Sequence, residues 1–221
     1  MIRPDDDMDT RPLAEGGASA RLRAALALGT SPDPRALSAL VERCAVEPDF
    51  PVREALTWAL TRLPAALTVP ALVGELGSAT AQARSQALHT LSKIGDRRAW
   101  PAITRALLTD ADDEVARTAW RTAAALAPED ERPALAAVLA SQLGRGGRET
   151  QRSLSRALVA VGEAAVPVLL HTAASAPDPV VRGHALATER LRRDPDSGFD
   201  FAIEEARRIV ALGGDGRRPA G

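Results

Sequence analysis

The chain has 221 residues, enough for one domain with a substantial core, and its formal net charge of −1 excludes a globally basic nucleic-acid binder. Hydrophobic residues make up 45% but aromatics only 3%, with no tyrosine, which disfavours an all-β sandwich or barrel and favours a helical fold built on Ala and Leu. The single cysteine, Cys44, leaves no intrachain disulfide and no Cys-x-x-Cys site, and no apolar run approaches the ~20 residues of a membrane span.

Residues 1–17 and 213–221 have the composition of a disordered arm and a disordered tail, which leaves 18–212 as the folded region. The acidic start, Met1 to Asp9, lacks the apolar core of a secretory signal, so the expected location is the cytoplasm. Lys93 is the only lysine, and the Arg and Ala bias fits a high-GC bacterial genome.

From Ala18 onward a unit recurs every 31–35 residues. Its second and clearest copy opens at Pro51 with Val52-Arg53; taking Arg53 as position zero, the equivalents are Ala18, Arg84, Ala116, Gln151 and Arg182. Apolar residues follow at offsets −1, +3 or +4, +7 and +10, one face of a 3.6-residue period, as in Ala83, Ala87, Leu88, Leu91 and Ile94. The pattern predicts helices over 18–28, 33–46, 51–63, 67–77, 81–94, 98–109, 113–126, 130–143, 149–161, 164–175, 179–192 and 199–211. Gly29, Gly95 and Gly162 stand where left-handed C-caps are expected. Pro70, Pro101, Pro133 and Pro167 are expected in the first turn of every second helix, where the missing N–H costs nothing. Asp49, Asp112 and Asp178 are placed to N-cap the helices that follow. Gly144-Arg145-Gly146-Gly147 reads as a flexible connector.

The Asp/Val-Arg and Val-Pro-Ala-Leu elements resemble the HEAT repeat, specifically the short bacterial type of phycobilisome-lyase-like HEAT proteins. The resemblance implies an all-α α-solenoid of stacked antiparallel helix pairs, with the Val-Arg helices lining its concave face. HEAT-type deoxyhypusine hydroxylases are similar but bind iron through His-Glu pairs. Here His89, His171 and His184 are followed by Thr90, Thr172 and Ala185, so no metal is expected. HEAT-like alkylpurine glycosylases use an aromatic and carboxylate cleft, and Trp120 has no acid one turn away on its helix. No Gly-rich phosphate loop is present, Ser153 and Ser155 have no His nearby in sequence, and Cys44 reads as a packed small hydrophobe.

Offsets +1, +2, +5 and +9 should point away from the core. Offset +5 reads Arg23, Trp58, His89, Arg121, Arg156 and Ala187; Arg117 and Arg152 join from +1, and Arg62 and Lys93 from +9. The balancing acids lie mainly in turns, at Asp110, Asp112, Asp113, Glu129, Asp130, Glu131 and Glu163. Glu114 and Glu149 precede Arg117 and Arg152 by three residues and can pair with them. Arg121 and Arg156 have no acid within a turn and an arginine one turn before, so solvent, a neighbouring turn or an anionic partner must offset them. Trp58 either stacks on Arg62 or tilts into the core, where Trp120 is placed. The candidate partner-binding residues are therefore Trp58, Arg62, His89, Lys93, Arg117, Arg121, Arg152 and Arg156. The expected protein is a monomeric, non-enzymatic scaffold that takes an acidic protein segment, with no cofactor. A phosphate-backbone binder and an accessory subunit of a lyase-type enzyme are the alternatives.

Overall fold

The computed structural model describes residues 10–162, 165–194 and 199–213, and every secondary-structure element among them is helical. The chain divides into two compact units, one ending at Ala102 and the other starting at Ile103. Glu163 lies outside the described residues.

In the first unit, α1 (Arg11–Glu15) precedes α2 (Ala18–Thr30), α3 (Leu37–Val46), α4 (Phe50–Arg62), α5 (Ala65–Glu75) and α6 (Ala81–Ile94). Helices α2, α4 and α6 pack side by side as one layer, while α3 and α5 form the other. Within the stretch 1–17, residues 1–9 lie outside the described residues, while at α1 Leu13 is 1% exposed and the helix packs on α2 and α3. An apolar residue in a Pro-started turn outweighs the polar composition around it.

The second unit contains α7 (Arg105–Leu108), α8 (Asp113–Leu126), α9 (Arg132–Ala140), α10 (Arg148–Val161), α11 (Val166–Ala173), α12 (Pro179–Arg193) and α13 (Phe199–Gly213). Helices α8, α10 and α12 form one layer, α7, α9 and α11 the other, and α13 packs on α12. Each unit is a segment of α-solenoid: neither helix of a pair can bury its apolar face alone, so the pairs stack.

Local chemistry sets the helix starts. The Asp49 carboxylate accepts from the Val52 N–H at 3.2 Å, Asp112 from Glu114 and Val115 at 2.9 and 3.1 Å, and Asp178 from Val180 at 2.7 Å. Pro133 and Pro167 stand in first turns. Pro70 does not: it lies inside α5, where flanking Val69 and Leu72 are buried and packing holds a helix that proline alone would break. Around Pro101 the expected helix over 98–109 fails. Arg97–Ala102 is 3-10, and α7 starts only after Thr104, whose backbone is extended. Gly95 takes the left-handed conformation at φ 72°, and Gly162 has φ 105°. Gly29 is no cap. It is buried inside α2, and a Cβ there would fall 2.2 Å from Cζ3 of Trp58.

Position zero has a structural task. Arg53 Nη1 donates to the carbonyls of Glu47 and Pro48 at 3.0 and 2.9 Å, Arg84 Nη1 to Ser78 and Ala79 at 2.9 and 3.1 Å, and Arg182 Nη1 to Ala176 and Pro177 at 2.8 and 2.7 Å. Each arginine staples the turn before its own helix and satisfies carbonyls that the preceding segment leaves unpaired. Gln151 does the same more weakly, its Nε2 reaching the Gly144 and Gly146 carbonyls at 3.4 and 3.3 Å. Where position zero is Ala116, Arg145 supplies the group from the next turn along: its Nη2 donates to the carbonyls of Asp110 and Ala111.

The segment read as a flexible connector is therefore a pinned loop. Arg145 Nε also donates to Asp113 at 2.8 Å, its guanidinium lies 5.9 Å from the Trp120 ring centroid, and the Gly144 N–H donates to His184 Nδ1 at 3.0 Å. Gly144 and Gly146 hold φ of 88° and 66°, a region that favours glycine.

Candidate functional site

Offset +2 faces a neighbouring helix instead of solvent. Gln86 Nε2 donates to Thr57 Oγ1 at 2.9 Å, and the Thr57 and Thr90 hydroxyls meet at 3.4 Å between α4 and α6. Between α10 and α12 the same offsets place Ser155 Oγ 3.0 Å from His184 Nε2 and 2.7 Å from Thr188 Oγ1. Residue +4 of one repeat thus meets residues +2 and +6 of the next in a buried polar node. Sequence alone does not show these nodes, because their members lie about one repeat apart.

The Ser155–His184 pair is not a nucleophile and base. His184 Nδ1 accepts from the Gly144 N–H, so the ring proton sits on Nε2, which faces the Gln151 carbonyl at 3.0 Å as well as Ser155. Burial pushes the imidazole down to about 4 despite the Gln151 contact, and the pair has no exposure to solvent. Burial likewise pushes the Cys44 thiol up to about 12, which keeps it protonated and inert. Among the described residues no group of three or more His, Cys, Asp and Glu could hold a metal, and no helix is long and apolar enough to cross a membrane.

Offset +5 points outward except at Ala187, which is fully buried. In the first unit Trp58 keeps 40% of its surface exposed while its six-membered ring edge rests on Gly29. It does not stack on Arg62: the cation–π pairs among the described residues are Arg53 on Phe50 and Arg145 on Trp120. Arg62 and Lys93 are exposed, and His89 Nε2 lies 3.3 Å from Glu54 of the adjacent helix. Trp120 is fully buried, with its Nε1–H donating to the Leu108 carbonyl at 2.8 Å.

The second unit gathers its four arginines. Arg117 and Arg121 of α8 and Arg152 and Arg156 of α10 line one hollow of about 80 Å³, together with Glu149 and Ser153. Arg117 Nη1 lies 3.3 Å from Glu114, and Arg152 Nη2 lies 2.7 Å from Glu149. Arg121 has a partner more than one turn away along its helix. Glu114 reaches it from two turns away, at a loose 3.8 Å, and its Nη2 also donates to Thr118 at 2.9 Å. Burial lowers the pKa of Arg121, Glu114 raises it and Arg117 lowers it further. Arg156 has no hydrogen-bond or ion-pair partner among the described residues. Two polar atoms in the lining are sealed from solvent and unpaired: Ser153 Oγ and Arg117 Nε. Ser153 was visible in the sequence only as a serine on a helix; its lack of a partner is a tertiary fact.

Hollows of about 380 Å³ flank α12. One, toward α13, is lined by Val180, Ile203 and Val210, and the other by Leu170, Leu186 and Glu189. Neither converges several unpaired donors as the smaller one does.

The structure resembles an engineered protein solved by the Northeast Structural Genomics Consortium, at 21% identity and a TM-score of 0.47, over 89% of this chain and 95% of that one. It also resembles the complex of CpcE and CpcF of phycocyanin lyase from Nostoc sp. PCC7120, at 19% identity and a TM-score of 0.47, over 100% of this chain and 93% of that one. No curated protein matches the sequence. The family model for the PBS lyase HEAT-like repeat matches residues 20–45, which cover most of α2 and of α3. The likeness to that repeat is thus shown over residues 20–45, and helix pairs of the same plan follow it in both units.

Proposed function

We propose that this chain is a non-enzymatic binding module that holds an acidic protein segment on the arginine face of α8 and α10. The observation that carries the reading is the gathering of Arg117, Arg121, Arg152 and Arg156 around one hollow, with Glu114 and Glu149 as their ion-pair partners among the described residues. Like charges one turn apart repel, so the arrangement is one that an anionic ligand stabilises. In the first unit, Trp58, Arg62, His89 and Lys93 are a separate set of candidate binding groups, with the half-exposed indole as an apolar contact.

A labelled Glu-rich peptide with one central serine, followed by fluorescence anisotropy, tests this. The double variant Arg121→Glu/Arg156→Glu should weaken binding at least about tenfold while leaving the helical circular dichroism unchanged. Each new glutamate follows an arginine by four residues, so the free protein should not lose stability. Unchanged affinity would place binding elsewhere. A DNA duplex that outcompetes the peptide and dissociates steeply with salt would support the phosphate-backbone alternative instead.

A further inference from the structure

We propose that the hollow between α8 and α10 is a phosphate pocket, taking the phosphoryl group of a phosphorylated side chain on the bound segment. This rests on the acidic-segment reading and sharpens it. Three observations carry it.

The first is charge. Glu114 and Glu149 leave two of the four guanidinium charges uncompensated. A carboxylate supplies one negative charge, whereas a phosphate monoester supplies about −1.5 to −2 near neutral pH. The second is the donor set. Ser153 is 9% exposed and its Oγ has no partner, Arg117 Nε is buried without one, and the Arg156 guanidinium is unpaired among the described residues. A helical serine ordinarily returns its hydroxyl to the carbonyl one turn back, and a buried donor left unpaired costs about 1–3 kcal/mol. Donors standing on two different helices suit an anion with three terminal oxygens better than a planar carboxylate with two. The third is size: at about 80 Å³ the hollow has room for a small oxyanion.

The test extends the peptide series by placing serine, glutamate or phosphoserine at the centre of one Glu-rich peptide, with calorimetry on the full chain. The phosphoserine peptide should bind at least about tenfold more tightly than the glutamate peptide. Ser153→Ala should cut that preference at least about threefold, and Arg156→Gln should cut it further. Circular dichroism of both variants should match that of the parent. Equal binding of all three peptides would overturn the phosphate pocket and leave the acidic-segment reading standing. No binding of any would overturn both. A phosphoserine preference untouched in both variants would place the phosphate elsewhere, and inorganic phosphate competing as strongly as the phosphopeptide would overturn a protein-borne source.

Discussion

Trp58 and Gly29 show how one missing side chain positions a large one. The indole edge lies where a Cβ at position 29 would stand, 2.2 Å from Cζ3 and 2.4 Å from Cε3. Alanine is otherwise the better helix residue, by about 0.5–1 kcal/mol. The clash should win: Gly29→Ala is expected to destabilise by ~1–3 kcal/mol in chemical denaturation. In a Trp58→Ala background the sign should reverse, with Gly29→Ala stabilising by about 0.5–1 kcal/mol. A loss of the same size in both backgrounds would mean that the glycine serves something other than the indole. From sequence, Gly29 matched Gly95 and Gly162 in spacing and read as a cap. The structure separates them because Gly29 has a tryptophan from the next repeat against it, and spacing along one helix carries no record of that.

At the level of elements, the turn before each Val-Arg helix is closed by a guanidinium or an amide on two carbonyls. Arg145 takes this task for the Ala116 helix and adds the contacts to Asp113 and Trp120. Arg145→Ala should therefore cost more than Arg182→Ala, about 2–4 against about 1–2 kcal/mol, in parallel urea titrations. The reverse order would show that the loop is held by its glycines alone. The capping aspartates were legible because cap and helix are three residues apart. The loop at 144–147 was not: its glycines resemble a linker, while its anchors, Asp113 and His184, are 32 and 40 residues away. The hollow was half legible. Repeat register brought the four arginines to one face, but Glu114 reaching Arg121 across two turns and the unpaired Ser153 depend on rotamers that a pattern does not encode.

The whole molecule should respond to acid in two stages, because each unit buries a group that gains its proton in the acid range. His184 in the second unit is held neutral, its imidazole lowered to about 4 from 6.5 by burial. Between those values the unfolded chain takes up a proton that the native chain refuses, so this contribution is complete above about pH 6.5 and is lost as the pH falls toward 4. It is on the order of 3 kcal/mol. Glu47 in the first unit is fully buried. Burial alone would raise its carboxyl, but hydrogen bonds from Arg21 and Arg43 and from the Asp49 N–H outweigh that and hold it at about 2, below 4.5. Its contribution is present above about pH 4.5 and disappears toward pH 2. Thermal unfolding followed by circular dichroism should thus show a decline from pH 6.5 to 4 that His184→Gln removes, and a second decline below 4.5 that it leaves. A single decline confined to the lower range would show that His184 gains its proton without loss of packing.

The backward reach of Arg145 also constrains how this sequence can drift. Ala116 is fully buried, and the two carbonyls that an arginine at that position would take already have a donor. Restoring arginine at 116 first means crowding a filled site, and losing Arg145 first means an open turn with Trp120 and Asp113 stripped of their cation. Either single step passes through a weaker protein, so the two positions are entrenched together. Relatives of this chain should carry arginine at one position or the other, with intermediates that have both or neither being short-lived in descent.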